Sequence, residues 1–264
     1  MRHQALVFGL CWAVNVSLNE QLRTIGRRYR PVTVGPLHVV LDVTDQSGFP
    51  AYFYGDPYEP LLTAELFAHL HEGDVFVDIG ANAGLFTMLA AKIVGATGRV
   101  VAFEPHPIAR AELVELLHVN GVRERVDVVA AALSDAPAAA MPLHLADQTG
   151  LSTLDPTVAP GRHHFTYTNS VLVEVTTLDA WMAAHSDLRT RLTMMKIDVE
   201  GLEDRVVAGM QETVRSAPRL RIVCETPAGS LADAQLIAAG FAAATLEAPE
   251  GSYVGNRVYC RRTN

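Results

Sequence analysis

Paired cysteines, clustered basic residues and a bilayer-length apolar run are all missing from this chain, and each absence removes a class of protein. The three cysteines among 264 residues, Cys11, Cys224 and Cys260, are odd in number and far apart. That suits neither a disulfide framework nor a metal-ligand spacing, so they read as reduced thiols of a cytoplasmic protein. Lysine and arginine number 21 against 29 aspartates and glutamates, a formal charge of -8. Without a basic stripe to neutralise phosphates, nucleic acid is not an expected partner. The apolar run ALVFGLCWAV at residues 5 to 14 follows Arg2 and His3, but it falls short of the roughly 20 residues that span a bilayer. No small-residue cleavage pattern follows it, so a helix over about 4 to 26 that packs on the main domain is expected, rather than a leader or a membrane anchor. No internal repeat or low-complexity block is present.

What is present is alternation. The chain is long enough for one large α/β domain with a sizeable core. We expect residues 61–264 to form it and residues 1–60 to form a helical and stranded extension, acting as a substrate lid or a homodimer contact. The proline and glycine punctuation between Pro50 and Pro60 reads as a loop entering a helix, LLTAELFAHL. From Asp74 onward short apolar strands alternate with helical patterns: VFVDI before helix 84 to 94, RVVAFE before helix 107 to 119, LTMMKIDVE before helix 202 to 215, and RLRIVCE before helix 230 to 239. Such βαβ repetition implies a mostly parallel sheet. The strand-like VDVVAAAL leads into an irregular insertion at about 136–170, and VLVEVTT leads into LDAWMAAH. The last two strand-like pieces, joined through Pro249, Gly251 and Gly255, read as an antiparallel terminal hairpin.

In an open α/β sheet the ligand sits beyond the carboxyl ends of the strands. Here those ends carry Asp78, Glu104, the segment 131 to 135, Asp198 and Glu225. The turn after the first strand runs Gly80-Ala-Asn-Ala-Gly84. A dinucleotide fingerprint needs a glycine where Asn82 stands, so that the backbone can approach a pyrophosphate, and its last glycine one residue later. An NAD-type oxidoreductase is therefore the weaker alternative. A cofactor with a cationic centre, an amino-acid tail and a ribose suits an acidic site better, and S-adenosylmethionine is such a molecule. Glu104, ending its strand, can accept both ribose hydroxyls.

The stretches YGDPYEP (54 to 60), GDVFVDIGANAGLFT (73 to 87), GRVVAFEPHP (98 to 107), AALSD (131 to 135), GLSTL (150 to 154), VEVTTLDAW (173 to 181) and MKIDVEGLE (195 to 203) together resemble the FkbM-type S-adenosylmethionine-dependent methyltransferases. That family mostly methylates hydroxyl groups of sugars and polyketide-derived natural products. The resemblance implies a class I, Rossmann-like fold with seven strands, the last antiparallel. It also implies that Asp78, Gly80, Asn82 and Gly84 line the methionine portion of the cofactor, that Glu104 binds the ribose, and that Ala132, Leu133 and Ser134 lie by the adenine. Tyr58 and Glu59 would cover the methionine tail.

Methyl transfer from a sulfonium needs in-line approach, a hydroxyl that loses its proton, and exclusion of water. In MKIDVEG, alternation along an extended strand would place Lys196, Asp198 and Glu200 on one face. Asp198 is the expected group that orients or deprotonates a small-molecule hydroxyl acceptor, directly or through Mg2+ held by Asp198, Glu200 and Glu225. Lys196 is expected to hold Asp198 in place by a buried ion pair. The other candidate bases are His106, His163 and His164. A degenerate methyltransferase-like domain that only binds a partner is the alternative outside enzymes.

Overall fold

The structure, a computed structural model, describes residues 26–44, 48–146, 149–157, 167–247 and 255–261. Nearly all of the helix expected over 4 to 26 lies outside these residues, as do Cys11, His163 and His164. The chain divides into two compact units after Thr63. Among the described residues no helix is long and apolar enough to cross a membrane.

In the first unit, β1 (Tyr29–Val34) and β2 (Leu37–Asp42) pair as an antiparallel hairpin whose two-residue connection places Gly35 at φ 55°. Val32, Val34, Val39 and Leu41 are buried at alternate positions, giving the hairpin one apolar face. The stretch read as a loop from Pro50 instead begins with a short helix, α1 (Gly48–Phe53). Pro50 sits in its first turn, where a missing N–H leaves no helical bond unmade. A β-carbon on Gly48 would lie 2.1 Å from the Asp42 carbonyl oxygen, so only glycine lets the helix start this close to β2. Helix α2 (Pro60–His69) begins before the boundary between the units and ends after it.

The second unit continues with β3 (Val75–Ile79), α3 (Leu85–Ile93), β4 (Arg99–Phe103), α4 (Pro107–Val119), β5 (Val126–Val129), β6 (Ala131–Leu133), β7 (Ala138–Ala146), β8 (Tyr167–Thr176), α5 (Leu178–Ala184) and α6 (Ser186–Arg191). It ends with β9 (Leu192–Ile197), α7 (Glu203–Ala208), α8 (Gln211–Ser216), β10 (Arg221–Glu225), α9 (Leu231–Ala238), β11 (Phe241–Glu247) and β12 (Asn256–Arg261). Seven strands form one sheet in the order β11-β12-β10-β9-β3-β4-β5. Five run parallel from β10 to β5, and β12 pairs antiparallel with both β10 and β11, giving the terminal hairpin read from the sequence. Every residue of β3 is buried, as befits a central strand covered on both faces. The core clusters around it through Val77, Ile79, Phe103, Met195, Ile197 and Ile222.

Three sequence readings are corrected. VDVVAAAL is not one strand: after Val129 the chain leaves the main sheet, and β6 joins β8 and β7 in a separate three-stranded sheet. The insertion is thereby ordered over β7 and the start of β8, with Leu143 facing Val171 across an antiparallel ladder. Few β7 residues are buried, so it carries almost no hydrophobic alternation to read. The single helix expected over 202 to 215 is broken at Gly209, where a β-carbon would lie 2.1 Å from the Ser134 carbonyl oxygen.

The strand order reverses at β3, which lies between β4 and β9. Such a switch point opens a crevice beyond the strand ends. Gly80 closes the floor of that crevice: at φ 77° its β-carbon would sit 1.8 Å from the Asp198 carbonyl oxygen. Gly80→Ala meets immovable backbone in a conformation that disfavours a side chain, so a loss of about 3 kcal/mol of unfolding free energy is expected by chemical denaturation.

Candidate active site

The turn after β3 is held by its own backbone. The Gly80 and Ala81 N–H groups donate to the Phe103 carbonyl at 3.1 Å each, the Gly84 N–H donates to Ala81 at 2.9 Å, and the Asp198 N–H donates to Ile79 at 3.0 Å. Asn82, at φ 48°, donates its N–H to Glu104 Oε2 at 2.7 Å. Four N–H groups of this turn are thus committed inside the protein and unavailable for a pyrophosphate. Gly84 has a packing role instead of lining the cleft: at φ 92° its β-carbon would fall 2.2 Å from Leu113 Cδ1, so its absence lets α3 approach α4.

A solvent-open cleft of about 670 Å³ lies over this turn, walled by Phe103, Ala132, Leu133 and Leu143, with Glu104 and Asp198 among its polar lining. Glu104 is buried and its Oε1 accepts the His106 N–H at 2.7 Å. Each oxygen takes one backbone donor and keeps capacity for another. Burial pushes the carboxyl up from its ordinary 4.5 to about 7, against the pull of the two backbone donors. His106 caps α4, its Nδ1 accepting from the Ile108 and Ala109 N–H groups. A base needs a free lone pair, so this ring is no proton acceptor for a substrate.

Behind the turn, Asp78 accepts the Thr87 hydroxyl on Oδ2 at 2.6 Å, and its buried Oδ1 has no hydrogen bond among the described residues. Lys196 Nζ lies 3.9 Å from that oxygen, 3.0 Å from Asp198 Oδ2 and 3.4 Å from the Gly80 carbonyl. Burial raises the Asp78 pKa, with Lys196 and Thr87 pulling it back. Lys196 is therefore a buried bridge between a carboxylate on β3 and one just past the end of β9.

The expected shared face of Lys196, Asp198 and Glu200 does not arise from strand alternation, because β9 ends at Ile197 and Glu200 turns at φ 60°. The turn still gathers acids. Carboxylate oxygens of Asp198, Glu200 and Glu225 all lie within 4.8 Å of one another. Three oxygen donors at that spacing suit one hard divalent ion. Asp198 and Glu200 line the cleft, whereas Glu225 does not.

Ala132 and Leu133, expected by the adenine, line the cleft. Ser134 does not: it is buried, its hydroxyl donates to Asp135 at 2.9 Å, and its carbonyl faces Gly209. Glu59 belongs to the first unit, where its carbonyl accepts the Thr63 N–H at 2.9 Å. Two contributors escaped the sequence reading. Glu203 is buried and accepts the Val199 and Gly201 N–H groups at 3.1 and 3.2 Å, shaping the turn that carries Asp198 and Glu200. The segment from Gly150 to Leu154 lines the cleft, and a β-carbon on Gly150 would meet Asn82 Nδ2 at 2.7 Å. Both signals were visible, as the last residue of MKIDVEGLE and as GLSTL, but neither carries obvious chemistry.

An acidic, apolar-walled crevice at the switch point, with a ribose-competent carboxylate and no open pyrophosphate cradle, fits S-adenosylmethionine. Together with the sheet order it defines a class I methyltransferase. The model of the methyltransferase FkbM domain matches residues 78–232, and the chain belongs to this family of S-adenosylmethionine-dependent methyltransferases. Among curated proteins no match was found. Solved structures similar to the chain include an S-adenosylmethionine-dependent O-methyltransferase of Thermotoga maritima, at 13% identity over 78% of this chain and 66% of that one, TM-score 0.47. Another is Aeropyrum pernix fibrillarin bound to S-adenosyl-L-methionine, at 12% identity over 88% and 99%, TM-score 0.45.

The raised Glu104 pKa makes apo stability pH-dependent. Its folded pKa of about 7 exceeds the ordinary 4.5, so the folded state holds the proton more tightly and this group's contribution is lost as pH rises between those values. Glu104→Gln does not titrate. Its unfolding free energy relative to wild type should shift in its favour by about 3 kcal/mol between pH 4 and pH 8, read by denaturant titration without cofactor.

Proposed function

We propose that the protein methylates a hydroxyl oxygen of a small molecule, a sugar or a polyketide-type natural product. The observation that carries this reading is Asp198: a carboxylate at the end of β9, lining the cleft beside the glycine turn and paired at 3.0 Å with a buried lysine.

Bound in the cleft, S-adenosylmethionine supplies an electrophilic methyl group on a sulfonium. Glu104 would accept the ribose hydroxyls, Ala132, Leu133 and Phe103 would offer the adenine an apolar wall, and Asp78 would favour the cationic end from behind the turn. Asp198 would accept the hydrogen bond of the incoming hydroxyl and take its proton as the oxygen displaces the thioether from the methyl group, the S–CH3 bond breaking while the C–O bond forms and S-adenosylhomocysteine leaving as the neutral product. Lys196 holds Asp198 in that posture. Glu200 and Glu225 complete an oxygen set with Asp198 that would hold Mg2+, lowering the hydroxyl pKa without a strong base.

Removing a group that moves a proton in the transition state costs typically about 10²-fold or more. Asp198→Asn should lose at least about 10²-fold in turnover of a hydroxyl acceptor and bind S-adenosylhomocysteine within about threefold of wild type. The measurement is product mass spectrometry over a panel of glycosides and polyketide alcohols, with Mg2+ or a chelator. Wild-type methylation of amine or carboxyl acceptors alone would contradict the hydroxyl reading, and no turnover of any acceptor would favour a binding domain.

A further inference from the structure

His106 is nearly sealed from solvent, at 3% exposure, yet it lines the cleft that holds Glu104, Ala132 and Leu133. Its Nδ1 accepts the Ile108 N–H at 3.2 Å and the Ala109 N–H at 3.3 Å. Those bonds fix the tautomer. A neutral imidazole whose Nδ1 is an acceptor carries its proton on Nε2. Protonating Nδ1 would turn a third N–H against two backbone donors, and burial together with Arg110 holds the pKa below its ordinary value. The ring is therefore a neutral, fixed donor, and its Nε2–H has no hydrogen-bond partner among the described residues.

In the cleft a ligand acceptor takes the place of water at this donor. The backbone N–H of the same residue holds Glu104 Oε1 at 2.7 Å, so the imidazole and the ribose carboxylate are fixed to each other. Nucleoside rings and ribose oxygens are rich in acceptors.

We propose that His106 is a cofactor-binding residue whose Nε2–H donates to an acceptor atom on the adenosyl half of S-adenosylmethionine. This rests on the reading that Glu104 takes the ribose in the same cleft. One residue thus serves twice, capping α4 with one ring nitrogen and binding the nucleoside with the other.

His106→Asn separates the two roles. Asparagine is a favourable helix cap but lacks the reach of Nε2. Calorimetric titration with S-adenosylhomocysteine should show affinity weakened about tenfold, a loss of one hydrogen bond, while the thermal midpoint of the apo protein stays close to wild type. On the wild type, 15N NMR of the histidine rings should show an Nε2–H tautomer for His106 whose Nε2 resonance shifts and whose proton becomes protected when S-adenosylhomocysteine binds. Equal affinity in the two proteins, or an Nε2 signal that the ligand does not move, overturns the proposal and leaves the cofactor reading intact. Failure of S-adenosylhomocysteine to bind the wild type overturns both. The NMR result stands on the wild type alone if the variant does not fold.

Discussion

A buried ammonium between two carboxylates ties the centre of this molecule together. Lys196 on β9 faces Asp78 on β3 across the parallel ladder and reaches forward to Asp198. Burying Lys196 and Asp78 is costly, and apolar residues of similar volume would often be as stable or more so. A methyltransferase of this family has another use for the arrangement. The lysine holds the acid behind the glycine turn and the acid lining the cleft in one fixed relation.

The remaining architecture serves that relation. Gly80 lets the first turn touch the Asp198 backbone, Asn82 turns left-handed to hand its N–H to Glu104, and Glu203 gathers the N–H groups of the turn that follows β9. The three loops at the carboxyl ends of β3, β4 and β9 are thus bonded to one another through backbone groups. A site built this way is preorganised: its acids do not need to be ordered when a cofactor arrives. The small second sheet adds the outer wall through Leu143 and the segment from Gly150.

Much of this was legible from sequence because the strong signals are local. Apolar runs ending in Asp78, Glu104 and Glu225 announce buried parallel strands, and the glycine spacing around Asn82 argues against a pyrophosphate before any geometry is known. What was not legible depends on contacts distant in sequence. Nothing in VDVVAAAL says that the chain changes sheet at Ala130, because both halves are apolar and the deciding partner is β8, some forty residues on. Gly84 and Ser134 look like cleft residues by motif position, yet their neighbours Leu113 and Gly209 turn them toward packing. Glu200 seemed to share a strand face with Lys196, and it reaches the acidic cluster through a positive φ that sequence alternation does not encode.

The crevice over Gly80 and Glu104 suits an adenosyl cofactor without a pyrophosphate. The most direct measurement is thermal unfolding of the wild type and Asp78→Ala with S-adenosylhomocysteine, with NAD and with neither. At 100 times its dissociation constant a ligand of the native state adds about 2.7 kcal/mol. The account predicts that S-adenosylhomocysteine alone raises the midpoint and that Asp78→Ala loses most of the rise. Stabilisation by NAD, or by neither ligand, would contradict it.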